Sequence, residues 1–439
     1  MRPIQELNDE LLTMFRALAK NPSNRSLRQS ALAAMEVACH SCTEDIPQAR
    51  RAKLGAYFTP NELSECVIGA RQARAMVSGV VLDPACGTGN LLVRVSEFLP
   101  VSDCLRTTLG QWGEQLAGLD VEPLFVEACK LQLGISAILR GATSFSRIPD
   151  PRKMFPNIRR GSALKETSLY ATADSIVANP PFARRVVPKH TRWGSGLSSV
   201  APLFVDQMVE KCTPSTKMYL ILPEVLRTGV RYRRWRSFVS QDCRIEQVEP
   251  CGQFAPNVDI DVFFLKLVRR MAQANPQPDW VRAGNTSWML VNDLFSVSVG
   301  PLVDYRSPKE GPYRPFVEAK TTAAWERIHN PPGRRRFRGT IVQPPFVVVR
   351  RTSRPSHPFR AVGSIITGEK SVAVENHLII CRPYSGTLRD CRMLLNSLKC
   401  EKTNDWINLR SRCRHLSVGL LKRLPMWGHS RGRRPKNAA

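Results

Sequence analysis

Between Val81 and Leu92 the chain reads V-L-D-P-A-C-G-T-G-N-L-L: an apolar run, an acid, a glycine turn and the start of an apolar helix. A strand that feeds a helix through so tight a turn is the building step of an α/β fold. Gly87 and Gly89 let the backbone turn sharply and approach a ligand that a Cβ would hold off. Asp83 closes the strand at its carboxyl end, where open α/β sheets bind ligands. The spacing excludes a phosphate-cradling G-x-x-x-x-G-K-S/T loop and departs from the dinucleotide G-x-G-x-x-G. An acid at this turn opposes a pyrophosphate and favours a cation. The bland alternative is an ordinary strand-to-helix turn with a capping acid.

Further apolar runs alternate with helical stretches: L-A-G-L-D, S-I-V-A-N, M-Y-L-I-L-P and D-V-F-F-L-K-L. That alternation predicts a mostly parallel sheet with helices on both faces. The run L-A-G-L-D-V-E-P puts Asp120 at the tip of the next strand, where an acid suits the hydroxyls of a ribose. A cation-bearing nucleoside with a free ribose describes S-adenosylmethionine. The run D-S-I-V-A-N-P-P-F, Asp174 to Phe182, ends on an amide, two prolines and a ring. A plain Asn-Pro turn is the alternative reading of that ending.

The chain's 439 residues suggest two or three domains, since domains usually run roughly 100–200 residues. A net charge of +27 points to a polyanionic partner. No apolar run approaches the ~18 residues of a membrane span. The N-terminus has no charged-then-apolar leader pattern. Thirteen scattered cysteines, an odd number, do not form a disulfide framework. These features read as an intracellular protein, cytoplasmic and nucleoid-associated. The C-x-x-C of Cys39 and Cys42 lies in a helical pattern with no second pair at zinc spacing, so helix packing explains it better and no metal is expected.

Five segments are expected. Residues 1–53 form a helical cap, with an apolar face of Leu7, Leu11, Leu12 and Phe15, then Leu32, Met35 and Cys39. Residues 54–270 carry the strand–helix alternation. Residues 271–340, rich in Pro, Gly and Trp, read as a connector. Residues 341–428 carry two β-rich runs, F-V-V-V-R-R-T and V-A-V-E-N-H-L-I-I-C, and a helix around Met393–Leu398. Residues 429–439 are a basic tail.

With Asn179, Pro180, Pro181 and Phe182 added to the two acidic strand tips, the chain resembles the adenine-N6 family of amino-group DNA methyltransferases. The likeness covers roughly Leu54 to Arg270, and more loosely Pro344 to Pro425. G-A-Y-F-T-P, Gly55 to Pro60, is similar to the N-terminal cofactor motif found in modification subunits of restriction systems. The resemblance implies a Rossmann-like methyltransferase sheet, mostly parallel with one antiparallel strand, between an N-terminal helical cap and a C-terminal β-rich recognition domain. It implies methyl transfer from S-adenosyl-L-methionine to adenine N6 in duplex DNA, in a restriction-modification or related defence system. It assigns the cofactor to Tyr57, Thr59, Pro60, Asp83, Ala85, Cys86, Gly87, Gly89 and Asp120, with Thr59 on the methionine carboxylate and Asp120 on the ribose. One departure is R-G-S-A-L, where Ser162 stands in place of the acid that often bonds the cofactor's adenine; Asp174 is too near the catalytic strand to replace it.

In that family the Asn-Pro-Pro-Phe group acts on a poor nucleophile, an amine whose lone pair is delocalised into a ring. Asn179 Oδ1 and the Pro180 carbonyl each accept an amine hydrogen, which frees the lone pair for in-line attack. The prolines fix φ, so the carbonyl is aimed. Phe182 offers a face to a base turned out of the duplex.

Arg184, Arg185, Lys189 and Arg192 follow in a loop whose Gly194 and Gly196 suggest mobility, with Trp193 placed to stack or wedge. From Arg327 to Arg360 the chain carries nine arginines and no acid, among them Arg334, Arg335, Arg336, Arg350, Arg351 and Arg354. These suit phosphates and guanines. Glu375, Asn376 and His377 read either as base readers or as strand-end caps. Asp304 with Glu318-Ala319-Lys320 meets a loose nuclease spacing that any chain of this length offers. Expected partners are double-stranded DNA and a specificity or nuclease subunit. An RNA acceptor, a protein glutamine, or a catalytically idle DNA-binding subunit are the competing readings.

Overall fold

The computed structural model describes residues 2–40, 59–189, 191–255, 258–270, 280–281 and 288–430. It divides into two units, Met1–Pro278 and Asp279–Ala439. The expected boundary after residue 53 and residues 431–439 of the basic tail lie outside the described residues.

In the first unit each apolar run becomes a strand: β1 (Val81–Asp83), β2 (Leu116–Asp120), β3 (Ile158–Arg160) and β4 (Ser175–Ala178). A small hairpin of β5 (Arg184–Val186) and β6 (Leu197–Ser199) comes next. Then follow β7 (Lys217–Pro223), β8 (Cys243–Ala255) and β9 (Val258–Arg269). The main sheet runs β3-β2-β1-β4-β7-β9-β8. Its first five strands are parallel, and β9 runs antiparallel to both neighbours. This is the mostly parallel sheet with one antiparallel strand. Strands β1 and β4 are buried along their whole length, as strands covered on both faces must be. Successive crossovers run outward from β1 in opposite directions, to β2 on one side and β4 on the other. Such a reversal opens a crevice at the carboxyl ends of these strands.

The N-terminal helices Arg2–Lys20 and Arg25–His40 share one core with the sheet. Asn8 donates to the Leu124 carbonyl (3.0 Å) and Arg28 to that of Leu139 (2.7 Å), fastening the pair to helix Pro123–Leu139. Leu7, Leu11 and Phe15 point inward as expected. Leu32 does not: it is 57% exposed, and Ala31, Ala34 and Ala38 form the inner face of the second helix. Small side chains there let helix backbones approach closely. The side chain of Cys39, and Cys42 altogether, lie outside the described residues.

The second unit contains β10 (Trp288–Leu290), β11 (Phe295–Val299), β12 (Tyr313–Val317), β13 (Arg327–His329), β14 (Gly333–Arg336), β15 (Phe346–Arg350), β16 (Gly363–Thr367), β17 (Ala373–Val374), β18 (Leu378–Pro383) and β19 (Pro425–Ser430). They form a five-stranded sheet β11-β18-β15-β16-β13, a three-stranded sheet β14-β12-β17 and the pair β10-β19. The expected helix falls within Leu388–Lys399, which packs on β15 and β16. The expected connector needs correction from Trp288 onward. Strands β11 and β13 complete the five-stranded sheet, and β12 with β14 build the smaller one. F-S-V-S-V in β11 alternates buried and exposed residues, a period-two signal outweighed by the prolines and glycines around it. Among the described residues no helix is long and apolar enough to cross a membrane.

Candidate functional site

Adjacent parallel strands β2, β1 and β4 deliver Asp120, Asp83 and Asn179 to one edge of the sheet. All three line a cavity of about 120 Å³, as do Thr59, Ala85, Cys86, Gly87, Ser162 and Pro181. Pro60, Gly89, Pro180 and Phe182 are not among its walls. Tyr57 lies outside the described residues.

The acids build the turn as well as the cavity. Asp83 Oδ1 accepts from the Ala85 N–H (3.0 Å). Asp120 accepts from the N–H groups of Gly87 (3.0 Å) and Glu122 (2.9 Å), so the tip of β2 holds the glycine turn of β1. Burial pushes the Asp83 carboxyl up to about 7; the Ala85 N–H opposes the shift and the charge of Asp120 adds to it. Burial also raises Asp120, against the pull of the Glu122 and Gly87 N–H groups. Gly89, at φ +100°, starts helix Asn90–Ser96 in the left-handed region, and a Cβ there would lie 2.5 Å from Cys129 Sγ. No other residue fits without moving helix Pro123–Leu139.

Asn179 follows β4 directly. Its Nδ2 donates to Thr59 Oγ1 (3.1 Å), while Asn90 Nδ2 donates to the Thr59 carbonyl (2.9 Å). Pro180, next in the chain, is largely buried. Phe182 meets Phe254 of β8 edge to face, with centroids 5.5 Å apart and planes at 85°. Ser162 closes a turn, its carbonyl accepting from Lys165 and Glu166 (both 2.8 Å). Asp174 Oδ2 accepts from the Val80 N–H (2.8 Å), at the opposite end of β4 from Asn179, so it does not supply the missing acid.

Among the walls that sequence reasoning missed are Glu122, Phe125 and Phe204. Glu122 Oε1 is buried and accepts no hydrogen bond. Its signal was present, an acid two residues beyond Asp120 at the cap of helix Pro123–Leu139. Phe204, on helix Ala201–Lys211, has no such local mark because it arrives from a distant part of the chain.

The basic segment after the motif forms a hairpin of β5 and β6. Trp193, expected to stack or wedge, is buried: its Nε1 donates to Asp206 Oδ2 (2.6 Å) and its ring leans on Tyr232 (5.9 Å). Burial pushes the Asp206 carboxyl up to about 7, against the Trp193 N–H. Arg184, Arg185, Lys189 and Arg192 are exposed, and Arg192 lies over the Phe238 ring at 6.0 Å.

In the second unit the arginines part company. Strand alternation exposes Arg334 and Arg336 and buries Arg335 between them. Arg335 ion-pairs with Asp304, donates to the carbonyls of Asp304 and Ser307 (both 3.1 Å) and lies over Phe316. It therefore leaves the expected DNA-facing set, and Asp304 leaves the loose nuclease spacing. Arg336 covers the ring of Tyr313 at 5.0 Å. Arg350 and Arg351 are half-buried, donating to the carbonyls of Thr322 (2.8 Å) and Asn376 (3.3 Å); Arg354 is exposed. Glu375 accepts from the Ala319 N–H (2.9 Å) and pairs with His377 (2.7 Å), which favours the strand-end cap. Arg360 is fully buried, reaching Asn408, Ser353 Oγ (3.0 Å) and the carbonyls of Ser411 (3.3 Å) and Cys413 (2.6 Å). Among the described residues no group of three His, Cys, Asp or Glu is placed to hold a metal ion.

Residues 44–250 match the family described as N-6 DNA Methylase. A 152-residue stretch is 28% identical to the methylase subunit of the type I restriction enzyme MjaIX from Methanocaldococcus jannaschii. That stretch covers 33% of this chain and 23% of the relative, so the chain matches less than a quarter of that protein's length. Among solved structures, the type IIL restriction-modification enzyme MmeI in complex with DNA superposes with a TM-score of 0.52 at 13% identity, over 91% of this chain and 70% of that one. At that identity the likeness concerns the fold. The M protein of the type I restriction enzyme EcoKI gives a TM-score of 0.38 at 16% identity, over 61% and 55% of the two chains.

Proposed function

We propose that this chain, whose residues 44–250 match the N-6 DNA Methylase family, transfers a methyl group from S-adenosylmethionine to the N6 amine of adenine in duplex DNA. The setting we infer is a restriction-modification or related defence system, with a specificity or nuclease subunit as a further partner. The observation that carries the reading is the meeting of Asp83, Asp120 and Asn179 around one cavity at the carboxyl ends of three neighbouring strands.

The residues present fit the cofactor. Asp83 is a buried carboxyl held up near 7 by burial, an environment that a cationic ligand relieves. Glu122 Oε1 is a buried acceptor with no hydrogen bond of its own, suited with Asp120 to sugar hydroxyls. Phe125 and Phe204 offer apolar walls to a flat base. Ser162 gives a hydroxyl where relatives often carry an acid. When bound, S-adenosylmethionine supplies a methyl group made electrophilic by its sulfonium.

Asn179, through Oδ1, and the Pro180 carbonyl accept the two hydrogens of the adenine amine. Drawing on both N–H bonds localises the nitrogen lone pair and aims it. The Asn179 amide is held for this by Thr59, which takes its N–H. Phe182, braced by Phe254, receives one face of the flipped base. Exposed cations of the hairpin and of the second unit take the phosphates. The decisive test is methyl transfer from labelled cofactor onto plasmid DNA and, in parallel, onto total RNA. Label recovered from DNA as N6-methyladenine is the expected result; label confined to RNA overturns the acceptor, and label in neither leaves the idle-subunit reading.

A further inference from the structure

Four residues beyond Phe182, Val186 stands 74% exposed, and across the hairpin Leu197 stands 48% exposed. They face each other in register, Val186 opposite Leu197, so both side chains leave the same face of the β5–β6 ribbon, along with that of Arg184. Two aliphatic side chains held in water by a flexible loop would mean little. This ribbon is fastened at several points. On its other face the Ser198 hydroxyl bonds that of Tyr232 (2.8 Å), which is itself buried. Val187 donates to the Gly196 carbonyl and Val200 to that of Ala183 (both 2.8 Å). Arg231 Nη2 fastens the turn through the Ser195 carbonyl (2.6 Å), and Trp193 is pinned by Asp206. The fold devotes this set of bonds to holding an apolar pair outward.

The surroundings say what the pair meets. The chain has no acid between Asp174 and Asp206, while Arg184, Arg185, Lys189 and Arg192 all fall in that interval. Arg231, which ties the turn, is exposed beside them. An apolar pair on a ribbon whose own charged residues are all cationic fits a partner that is apolar between its layers and anionic along its rails: stacked bases between phosphate backbones.

We propose that Val186 and Leu197 form a wedge that enters the base stack next to the target adenine and occupies the place it leaves. This rests on the duplex-DNA reading above and deepens it. Unstacking a base costs free energy that a filled gap partly returns, so the wedge favours the flipped state over the stacked one. Arg184, on the same face, lies on an adjacent phosphate.

The test uses the full chain and a duplex built around whichever site the wild-type protein methylates in plasmid DNA. The variant is Val186→Ser with Leu197→Ser, two exposed positions at which polar residues leave the core untouched. Single-turnover methylation should slow by about tenfold on the paired duplex, and the difference should shrink to within about twofold when the target adenine faces an abasic site, where flipping is already favoured. Cofactor affinity should not move. Val186→Ile with Leu197→Met, which keeps the apolar volume, should restore the rate on paired DNA. Equal slowing on paired and abasic duplexes would show that the ribbon only binds backbone, and unchanged rates on both would show no role; either result overturns the wedge while leaving methyl transfer intact. A wild-type protein that methylates no DNA removes the underlying reading and the wedge with it.

Discussion

The cavity of the first unit and the arginine run of the second were both marked by residue type, and they fared differently. Asp83, Asp120 and Asn179 lie far apart in sequence and converge on one cavity. The nine arginines between Arg327 and Arg360 lie close in sequence and disperse: Arg335 and Arg360 are buried in neutral or paired surroundings, while Arg334, Arg336 and Arg354 face solvent. The difference lies in what fixes direction. A residue at the carboxyl tip of a parallel strand has its edge of the sheet determined by the strand itself. A residue within a strand points to one face or the other according to register, and composition carries no register. Proximity in sequence says less about common purpose than position at a strand end.

That contrast breaks first on Arg360. If it is a structural member, Arg360→Ala leaves several buried acceptors without a donor, each costing about 1–3 kcal/mol, for a total loss of roughly 3–5 kcal/mol read as a lowered urea midpoint. An unchanged midpoint combined with weakened DNA binding would return Arg360 to the surface set. On the other side of the comparison, Asn179→Ala should slow single-turnover methylation by ~10²–10³, or about 2.7–4 kcal/mol, with cofactor and DNA still bound. Near-normal turnover would reduce Asn-Pro-Pro-Phe to a strand-ending turn.

Asp120→Ala should weaken cofactor binding by about one to two decades, the loss of roughly 1.5–3 kcal/mol for charge-assisted bonds, while DNA affinity stays near normal. Calorimetric titration reads both. Because Asp120 also holds the Gly87 and Glu122 N–H groups, part of that loss comes through the shape of the turn.

The pH dependence has a definite sign. Burial raises Asp83 to about 7, so the folded protein holds a proton there that the unfolded chain releases near the ordinary value of 3.8. The acid's contribution to stability is full below 3.8 and is lost as pH rises through about 7. A cationic ligand favours the ionised form, so cofactor affinity should rise with pH up to that value, by as much as about tenfold per unit. Asp83→Asn should flatten the profile, and a profile of the same slope in that variant would move the titration to another group.

The smallest effect concerns the exposed arginines. Neutralising Arg334 and Arg336 together should lower the slope of log K against log salt by about 0.9 for each phosphate that goes without its cation, on all sequences alike. Weakening on one preferred sequence alone would make them base readers. Arg335→Ala is the internal control: its effect should fall on stability.

The sheet, its direction and the strand tips were readable because alternation, acids and a glycine turn are local signals with a fixed geometric meaning. The second unit was half readable. Its deep strands β15 and β18 are runs of branched apolar residues, whereas β12 to β14 are short and polar on one face. Their pairing is decided by partners elsewhere in the chain, which is why a folded stretch read as a connector. Trp193 shows the same limit at one residue. A tryptophan beside two glycines and a row of cations suits an exposed platform, and only the fold reveals Asp206 waiting for its N–H.

Thr59 touches both halves of the first unit's chemistry through different atoms: its carbonyl takes Asn90, next to the glycine turn, and its hydroxyl takes the amide of Asn179. A ligand that leans on Thr59 therefore alters how firmly that amide is held, and a base engaging the amide alters Thr59 in return. Where such a shared residue couples two ligands, the linkage is reciprocal. The factor by which bound cofactor sharpens capture of the adenine must equal the factor by which captured adenine tightens the cofactor. Thr59→Val, nearly the same in shape, removes the hydroxyl half of this bridge, and comparing cofactor affinity with and without bound DNA in that variant measures whether the bridge couples the two.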